Sequence, residues 1–258
     1  MQIQILIQHH QKQVKKRKII NVIAIFLILI ATSCAHKSGH KERRHVSYAN
    51  SARTQTSRTN IDTQVEIRDK KGNKMDGAEI FRKFNKAVFM VYTSDGTNTY
   101  QGSGFFINSN GLAVSNYHVF KGTGIGAEVI KLSGSNTAYK VVEVLQKSED
   151  EDFILFRVNC NSTNYIPIAR NKLSIGEKVF TIGSPRGLEN TFSSGEVSQW
   201  RDKNLMQISA LIDHGSSGGA LINEYGEVVG ITSGTFYDGS QANLNYAWSI
   251  DVVKPYIN

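Results

Sequence analysis

The chain has 258 residues, 40% apolar and 20% charged, enough for one or two domains with a sizeable core. Its formal charge of +8 points to a nucleic-acid partner only until it is divided along the chain. Residues 1–60 hold 11 Lys/Arg against one acid, whereas residues 61–258 hold 19 basic and 21 acidic residues, so the part able to fold is slightly acidic and no nucleic-acid partner is expected. Two cysteines exclude a disulfide framework.

The N-terminus reads as an address. Lys12, Lys15, Lys16, Arg17 and Lys18 precede an uncharged run from Val22 to Ala31. That run is far shorter than the roughly 20 apolar residues that cross a bilayer. A basic region, a short apolar core and small residues fit a secretory signal over residues 1–33. The run ends Ala31-Thr32-Ser33-Cys34, which resembles the lipobox of bacterial lipoproteins. Cleavage before Cys34 and lipidation of that cysteine are the expectation, with an uncleaved signal-anchor as the alternative. Either route places the protein at a bacterial cell envelope, periplasmic or surface-facing, and attached to its membrane.

From residue 34 to residue 75 the chain is polar and nearly devoid of large apolar side chains. Such a segment buries too little surface to offset its ordering entropy, so it is expected to be a disordered tether. Order is expected from Asp76, where Asp76 and Glu79 have the spacing of a capping box for a short helix carrying Ile80 and Phe84 on one face.

Beyond the helix, short apolar runs alternate with Gly, Asn and Ser. They are Ala87–Tyr92, Ser103–Ile107, Leu112–Ser115, Val141–Leu145, Phe153–Val158, Lys178–Ile182, Leu205–Ile208, Ala220–Ile222, Val228–Thr232 and Tyr246–Ile250. Their length and their Val, Ile, Phe and Tyr content are those of strands. Asn108-Ser109-Asn110-Gly111 reads as a hairpin turn between two of them. No helical periodicity lasts long enough for βαβ units, so the fold class is all-β, a sandwich or barrel architecture.

Of seven histidines, five fall in the leader or tether, leaving His118 and His214 for a folded site. Gly215-Ser216-Ser217-Gly218-Gly219 is a small-residue turn between apolar strand-like segments. That is what a nucleophilic Ser217 with nearby backbone N–H donors for a developing oxyanion requires. A serine hydroxyl needs a base, and His118, at the end of the strand Leu112–Ser115, can be one; His214 is too near Ser217 in the same turn. A proton-carrying imidazole is commonly held in one tautomer by a carboxylate. Asp152 is the choice, because it abuts the apolar run Phe153–Val158, and Asp150 is the alternative. No phosphate loop, metal-ligand spacing or cofactor fingerprint is present, so no cofactor and no metal are expected.

Gly102-Ser103-Gly104-Phe105-Phe106-Ile107, Ser115-Asn116-Tyr117-His118-Val119, Asp152-Phe153-Ile154-Leu155, Ile182-Gly183-Ser184-Pro185 and Gly215-Ser216-Ser217-Gly218-Gly219-Ala220 together resemble the trypsin-like serine peptidases, most closely the bacterial Deg/HtrA branch. The resemblance implies a peptidase domain over residues 76–258 built of two six-stranded β-barrels, the first about 80–160 and the second about 165–253, with the site in the cleft between them. It implies that Ser217 is the nucleophile, His118 the general base and then acid, and Asp152 its orienter. The oxyanion hole would come from Gly215 and Ser217 with Ser216, and Ser233 would support Asp152. Thr232, Ser233, Gly234 and Thr235 would offer backbone to an extended substrate. No acid stands in Ala210-Leu211-Ile212, so Leu211 and Ile212 suggest a small or medium apolar P1 residue. The implied activity is endopeptidase cleavage of exposed or unfolded protein segments, against the alternative of a silent, protease-shaped peptide-binding or chaperone module. The PDZ module typical of Deg proteins is expected to be absent.

Overall fold

A computed structural model describes residues 64–124, 127–135, 137–161, 163–184, 190–235 and 244–257. The signal segment, Cys34 and the tether through residue 63 lie outside the described residues. In chain order the elements are β1 (Ile67–Arg68), α1 (Gly77–Phe84), β2 (Val88–Ser94), β3 (Thr99–Phe106), β4 (Leu112–Ser115), α2 (Tyr117–Phe120), β5 (Val129–Leu132), β6 (Ala138–Tyr139), β7 (Val141–Ser148) and β8 (Phe153–Val158). There follow β9 (Ile168–Ala169), β10 (Lys178–Gly183), β11 (Thr191–Trp200), β12 (Leu205–Ile208), β13 (Ala220–Asn223), β14 (Val228–Thr235) and β15 (Asn245–Ser249).

The second half closes as expected. Its strands run β14-β13-β10-β11-β12-β15, and pairing of β14 with β15 completes a six-stranded barrel, with β9 and β1 added outside β14. The first half is a seven-stranded sheet in the order β6-β5-β2-β3-β4-β8-β7. Among the described residues no ladder joins β6 to β7, so this half is a half-barrel.

Three apolar layers explain why so many strands read as unbroken apolar runs. One fills the half-barrel, with Phe89, Phe106, Ile154 and Phe156 among its members. Another fills the closed barrel, with Val179, Met206, Ile208 and Leu221. The third lies between the two, where Phe105, Leu112, Phe153 and Leu155 of the first half meet Phe180, Ile182, Ala220, Ile222 and Ile231 of the second. Successive side chains of a strand point to opposite faces, so Phe105 serves the interface while Phe106 serves the half-barrel. Strands buried on both faces lose the alternation of a one-sided sheet.

The helix α1 begins as its sequence indicates. The Asp76 carboxylate accepts from Glu79 N–H at 2.8 Å, and the Glu79 carboxylate accepts from Asp76 N–H at 3.2 Å. Ile80 and Phe84, both buried, seat the helix on the inter-barrel layer. The β3–β4 hairpin turns at Asn108, whose Oδ1 accepts from the N–H groups of Asn110 and Leu112, each at 3.0 Å.

Two expectations are corrected. The ten apolar runs all become strands, but β1, β5, β6, β9 and β11 were not legible. In β11 only Val197 of ten residues is buried, and ladders to β10 and β12 hold this polar segment in place. Part of the segment expected to be a tether, residues 64–75, belongs to the fold instead. Ile67 and Arg68 pair in parallel with Ile168 and Ala169, and Val65 is buried in the inter-barrel layer. Lys70 and Lys74 reach Glu177 and Glu224 of the closed barrel at 2.6 Å each. Two apolar residues in a polar stretch suffice here because β9 presents an unpaired edge.

Val65→Asp puts a carboxylate into that layer and is expected to destabilise the protein by about 1–3 kcal/mol, measured by urea unfolding. Unchanged stability would mean that residues 64–75 contribute nothing to the fold.

Candidate active site

The two halves each supply part of one site. β4 leads through Asn116 into α2, a single turn that carries His118, so the histidine sits on a short helix rather than at the strand end itself. Asp152 stands one residue before β8, which pairs with β4, and its φ of +44° bends the chain toward α2. Its carboxylate is held from three sides. His118 Nδ1 lies 2.8 Å from Oδ2, His118 N–H donates to Oδ1 at 2.9 Å, and Ser233 Oγ donates to Oδ2 at 2.9 Å. An ionised carboxylate only accepts, so the ring proton belongs on Nδ1 and Nε2 is left as an acceptor. The Asp152 side chain is 15% exposed and that of His118 is 47% exposed, which leaves the ring open to an incoming molecule. Asp150, the alternative from sequence, makes none of these contacts.

Ser217 is delivered by the turn between β12 and β13. Ser216 N–H donates to Asp213 C=O at 2.9 Å, and Gly215 in the third position of that turn has φ +94°, a combination that marks a type II turn. Only glycine takes this φ without strain, and a Cβ there would lie 2.7 Å from Gln101 Oε1 and 2.9 Å from Ser184 O. Every following peptide is fixed by at least one bond. Ser216 C=O accepts from Thr232 Oγ1 at 2.7 Å and from Gly219 N–H at 2.9 Å. In a trans peptide N–H points opposite to C=O, so those two bonds aim the Ser217 N–H. Ser217 C=O accepts from Ser103 N–H at 2.8 Å, and Gly218 N–H donates to Thr232 C=O at 2.7 Å. Among the described hydrogen bonds, the N–H groups of Gly215 and Ser217 donate to no acceptor. Ser216 N–H is spent within the turn, which removes Ser216 from the donors named by sequence.

The Ser217 hydroxyl donates to Ser233 C=O at 2.8 Å. No hydrogen bond joins it to the His118 ring among the described contacts. The register of β14 against β15 shifts between Thr232 and Gly234, so Ser233 is a bulge residue whose carbonyl is turned out of the ladder toward Ser217.

The residues expected to bind substrate divide. Thr232 is buried, and its N–H, C=O and hydroxyl all serve the Ser217 turn, so it has nothing left for a ligand. Ile212 is 9% exposed and packs in the closed-barrel core, whereas Leu211 is 66% exposed on the surface. Among the described residues no strand pairs with β14 at Ser233, Gly234 and Thr235 on the edge away from β15. A separate cavity of about 580 Å³, lined by Tyr117, Phe120, Thr123, Glu128, Val144 and Lys147, contains neither His118 nor Ser217. Sequence reasoning did not find Asn116, whose Nδ2 donates to Asp152 C=O at 2.8 Å, nor the Ser103 hydroxyl, which donates to Gly215 C=O at 2.7 Å.

A half-barrel and a closed barrel that meet across an apolar layer, with His and Asp on one and Ser on the other, define the trypsin-like architecture. Comparison with known proteins agrees. Residues 102–231 match the trypsin-like peptidase domain. The chain is 31% identical over 168 residues to mitochondrial serine protease HTRA2 of Drosophila virilis, covering 60% of this chain and 38% of that protein. It is 30% identical over 165 residues to the chloroplastic Protease Do-like 1 of Arabidopsis thaliana, covering 58% of this chain and 36% of that one. The solved serine endoprotease from Yersinia pestis shares its fold with a TM-score of 0.63 at 23% identity, over 71% of this chain and 66% of that one. The chain thus belongs to the trypsin-like peptidase family, and its match spans little more than a third of the curated relatives' length.

Cys160, just after β8, is a free thiol packed against the half-barrel core, and burial pushes its pKa up to about 11. About one molecule in 10⁴ then carries thiolate at neutral pH. Alkylation of Cys160 by iodoacetamide, followed by peptide mass spectrometry, is expected to be very slow at pH 7 and to rise steadily through pH 10. A rate that levels off below pH 9 would contradict this.

Proposed function

We propose that the protein is a serine endopeptidase that cleaves exposed or unfolded protein segments through an acyl-enzyme. The observation that carries this reading is the Asp152 carboxylate gripping both Nδ1 and the backbone N–H of His118, which leaves Nε2 as the site's acceptor. Ser217 and the unclaimed N–H groups of Gly215 and Ser217 complete the set of groups that acyl transfer needs.

In this reading an extended substrate lies along β14 at Ser233–Thr235 as an added strand. A substrate N–H bonded to Ser233 C=O takes the place of the Ser217 hydroxyl, which turns about its Cα–Cβ bond toward His118. Ser217 Oγ attacks the scissile carbonyl carbon as its proton passes to Nε2, and the Gly215 and Ser217 N–H groups receive the oxyanion. Collapse breaks the C–N bond, and His118 protonates the leaving amine. Water, deprotonated by the same nitrogen, then hydrolyses the ester and restores Ser217. Asp152 stays ionised and stabilises the imidazolium in each half. Of Ala210-Leu211-Ile212 only Leu211 is exposed to meet a substrate, and its apolar side chain supports a small or medium apolar P1 residue.

The leader supports a place at the bacterial cell envelope, with Cys34 lipidated and residues 35–63 as the link to the folded part. This rests on sequence alone.

Unfolded casein is expected to be cut by the full chain, with loss of cleavage in Ser217→Ala and His118→Ala. Asp152→Asn is expected to lower kcat by about 10⁴-fold, because an amide partner favours the wrong tautomer. Casein bound but uncut by the folded protein would instead support the silent peptide-binding module.

A further inference from the structure

The hydroxyl of Ser103 is used twice. It donates to Gly215 C=O at 2.7 Å and accepts from Ser184 N–H at 2.9 Å, and the residue is fully buried. The backbone of Ser103 is used as well. Its N–H donates to Ser217 C=O at 2.8 Å, and its C=O accepts from Ser115 Oγ at 2.6 Å. A residue of β3 in the half-barrel thereby holds both ends of the Gly215–Ser217 segment of the closed barrel. The glycines that flank Ser103 leave no room for a side chain: a Cβ on Gly102 would meet Val119 at 2.6 Å and Ser217 O at 3.2 Å, and one on Gly104 would meet the Phe89 ring at 2.4 Å.

We propose that Ser103 is a positioning residue that sets the direction of the oxyanion-binding Gly215 N–H from across the barrel interface, an inference that rests on the endopeptidase reading of the same site. The Gly215–Ser216 peptide is held at both ends: its C=O by the Ser103 hydroxyl and its N–H by Asp213 C=O. That peptide forms the end of the type II turn whose central peptide carries the Gly215 N–H. Without the Ser103 hydroxyl, Gly215 C=O and Ser184 N–H lose their partners, both in buried residues. The turn then gains a reason to rotate, because a type I arrangement of the same four residues flips the central peptide and points a carbonyl where the N–H had pointed. A plain packing role would weaken folding alone. A positioning role weakens transition-state binding and spares substrate binding.

The test compares the full chain with Ser103→Ala, with Ser103→Cys as the variant that keeps the shape and a weak donor. Casein cleavage by the unmodified chain tests the peptidase reading separately, so its failure is distinguishable from failure here. Removing an oxyanion donor outright costs about 10²–10³ in kcat, so loosening one is expected to cost about 10- to 100-fold in kcat with KM nearly unchanged. Affinity for a peptide boronic acid, whose tetrahedral adduct places an oxygen at the oxyanion position, should fall by the same factor as kcat/KM. Affinity of a peptide substrate for Ser103→Ala/Ser217→Ala should match that for Ser217→Ala. If Ser103→Ala does not fold, Ser103→Cys should show the same split at smaller size. Equal losses in boronic acid and substrate affinity, or no loss in either, would overturn the proposal.

Discussion

The site depends on the apolar layer between the half-barrel and the closed barrel. Phe105, Phe153 and Leu155 face Phe180, Ile182 and Ile222 across it, all essentially without exposure. This layer fixes where β4 and β8 end relative to the turn before β13, and thus the distance between His118 and Ser217. Neither half holds a complete site. A truncation at Phe105 or Ile182 leaves a cavity in this layer that the surroundings fill only in part, which weakens the support beneath the polar groups of the site.

Above that layer, polar groups complete the alignment through hydrogen bonds between the halves. Ser233 of β14 donates to Asp152, and Ser103 of β3 bonds to Ser217, Gly215 and Ser184. Apolar contacts set the separation of the halves without direction, whereas these bonds set angles. Peptide planarity then converts bonds made by carbonyls into directions for N–H groups on the other side of each peptide. The Ser217 hydroxyl rests on Ser233 C=O, and the proposed chemistry needs it to turn from there toward His118. Hydrogen bonds between catalytic groups are commonly loose before substrate arrives.

Much of this was legible in the sequence, for reasons that can be stated residue by residue. The central strands are dense in β-branched and aromatic residues because they are buried on both faces. The capping box at Asp76 and the turn at Asn108 are local chemistry and read directly. The pairing of His118 with Asp152 is readable from residue types in order, with Asp150 as the alternative, whereas the support from Ser233 is implied only by the family resemblance. The polar strand β11 escaped because its neighbours, not its side chains, make it a strand. Val65 and Ile67 escaped because two apolar residues carry no period until β9 offers an edge. The double duty of Ser103 and the complete use of Thr232 escaped because such bonds depend on long-range contacts, which a serine or threonine does not advertise in sequence. The family resemblance implies Ser216 as a further oxyanion donor, but the turn that makes its neighbour usable consumes its own N–H.

The proposed peptidase chemistry needs an activated serine at position 217. Treating the full chain with a fluorophosphonate and mapping the adduct by mass spectrometry tests it most directly, because the reagent needs a nucleophilic hydroxyl and no knowledge of the natural substrate. A single adduct on Ser217 is expected, absent in Ser217→Ala and greatly slowed in His118→Ala. A folded chain that takes no label, or one labelled equally in Ser217→Ala, would contradict it.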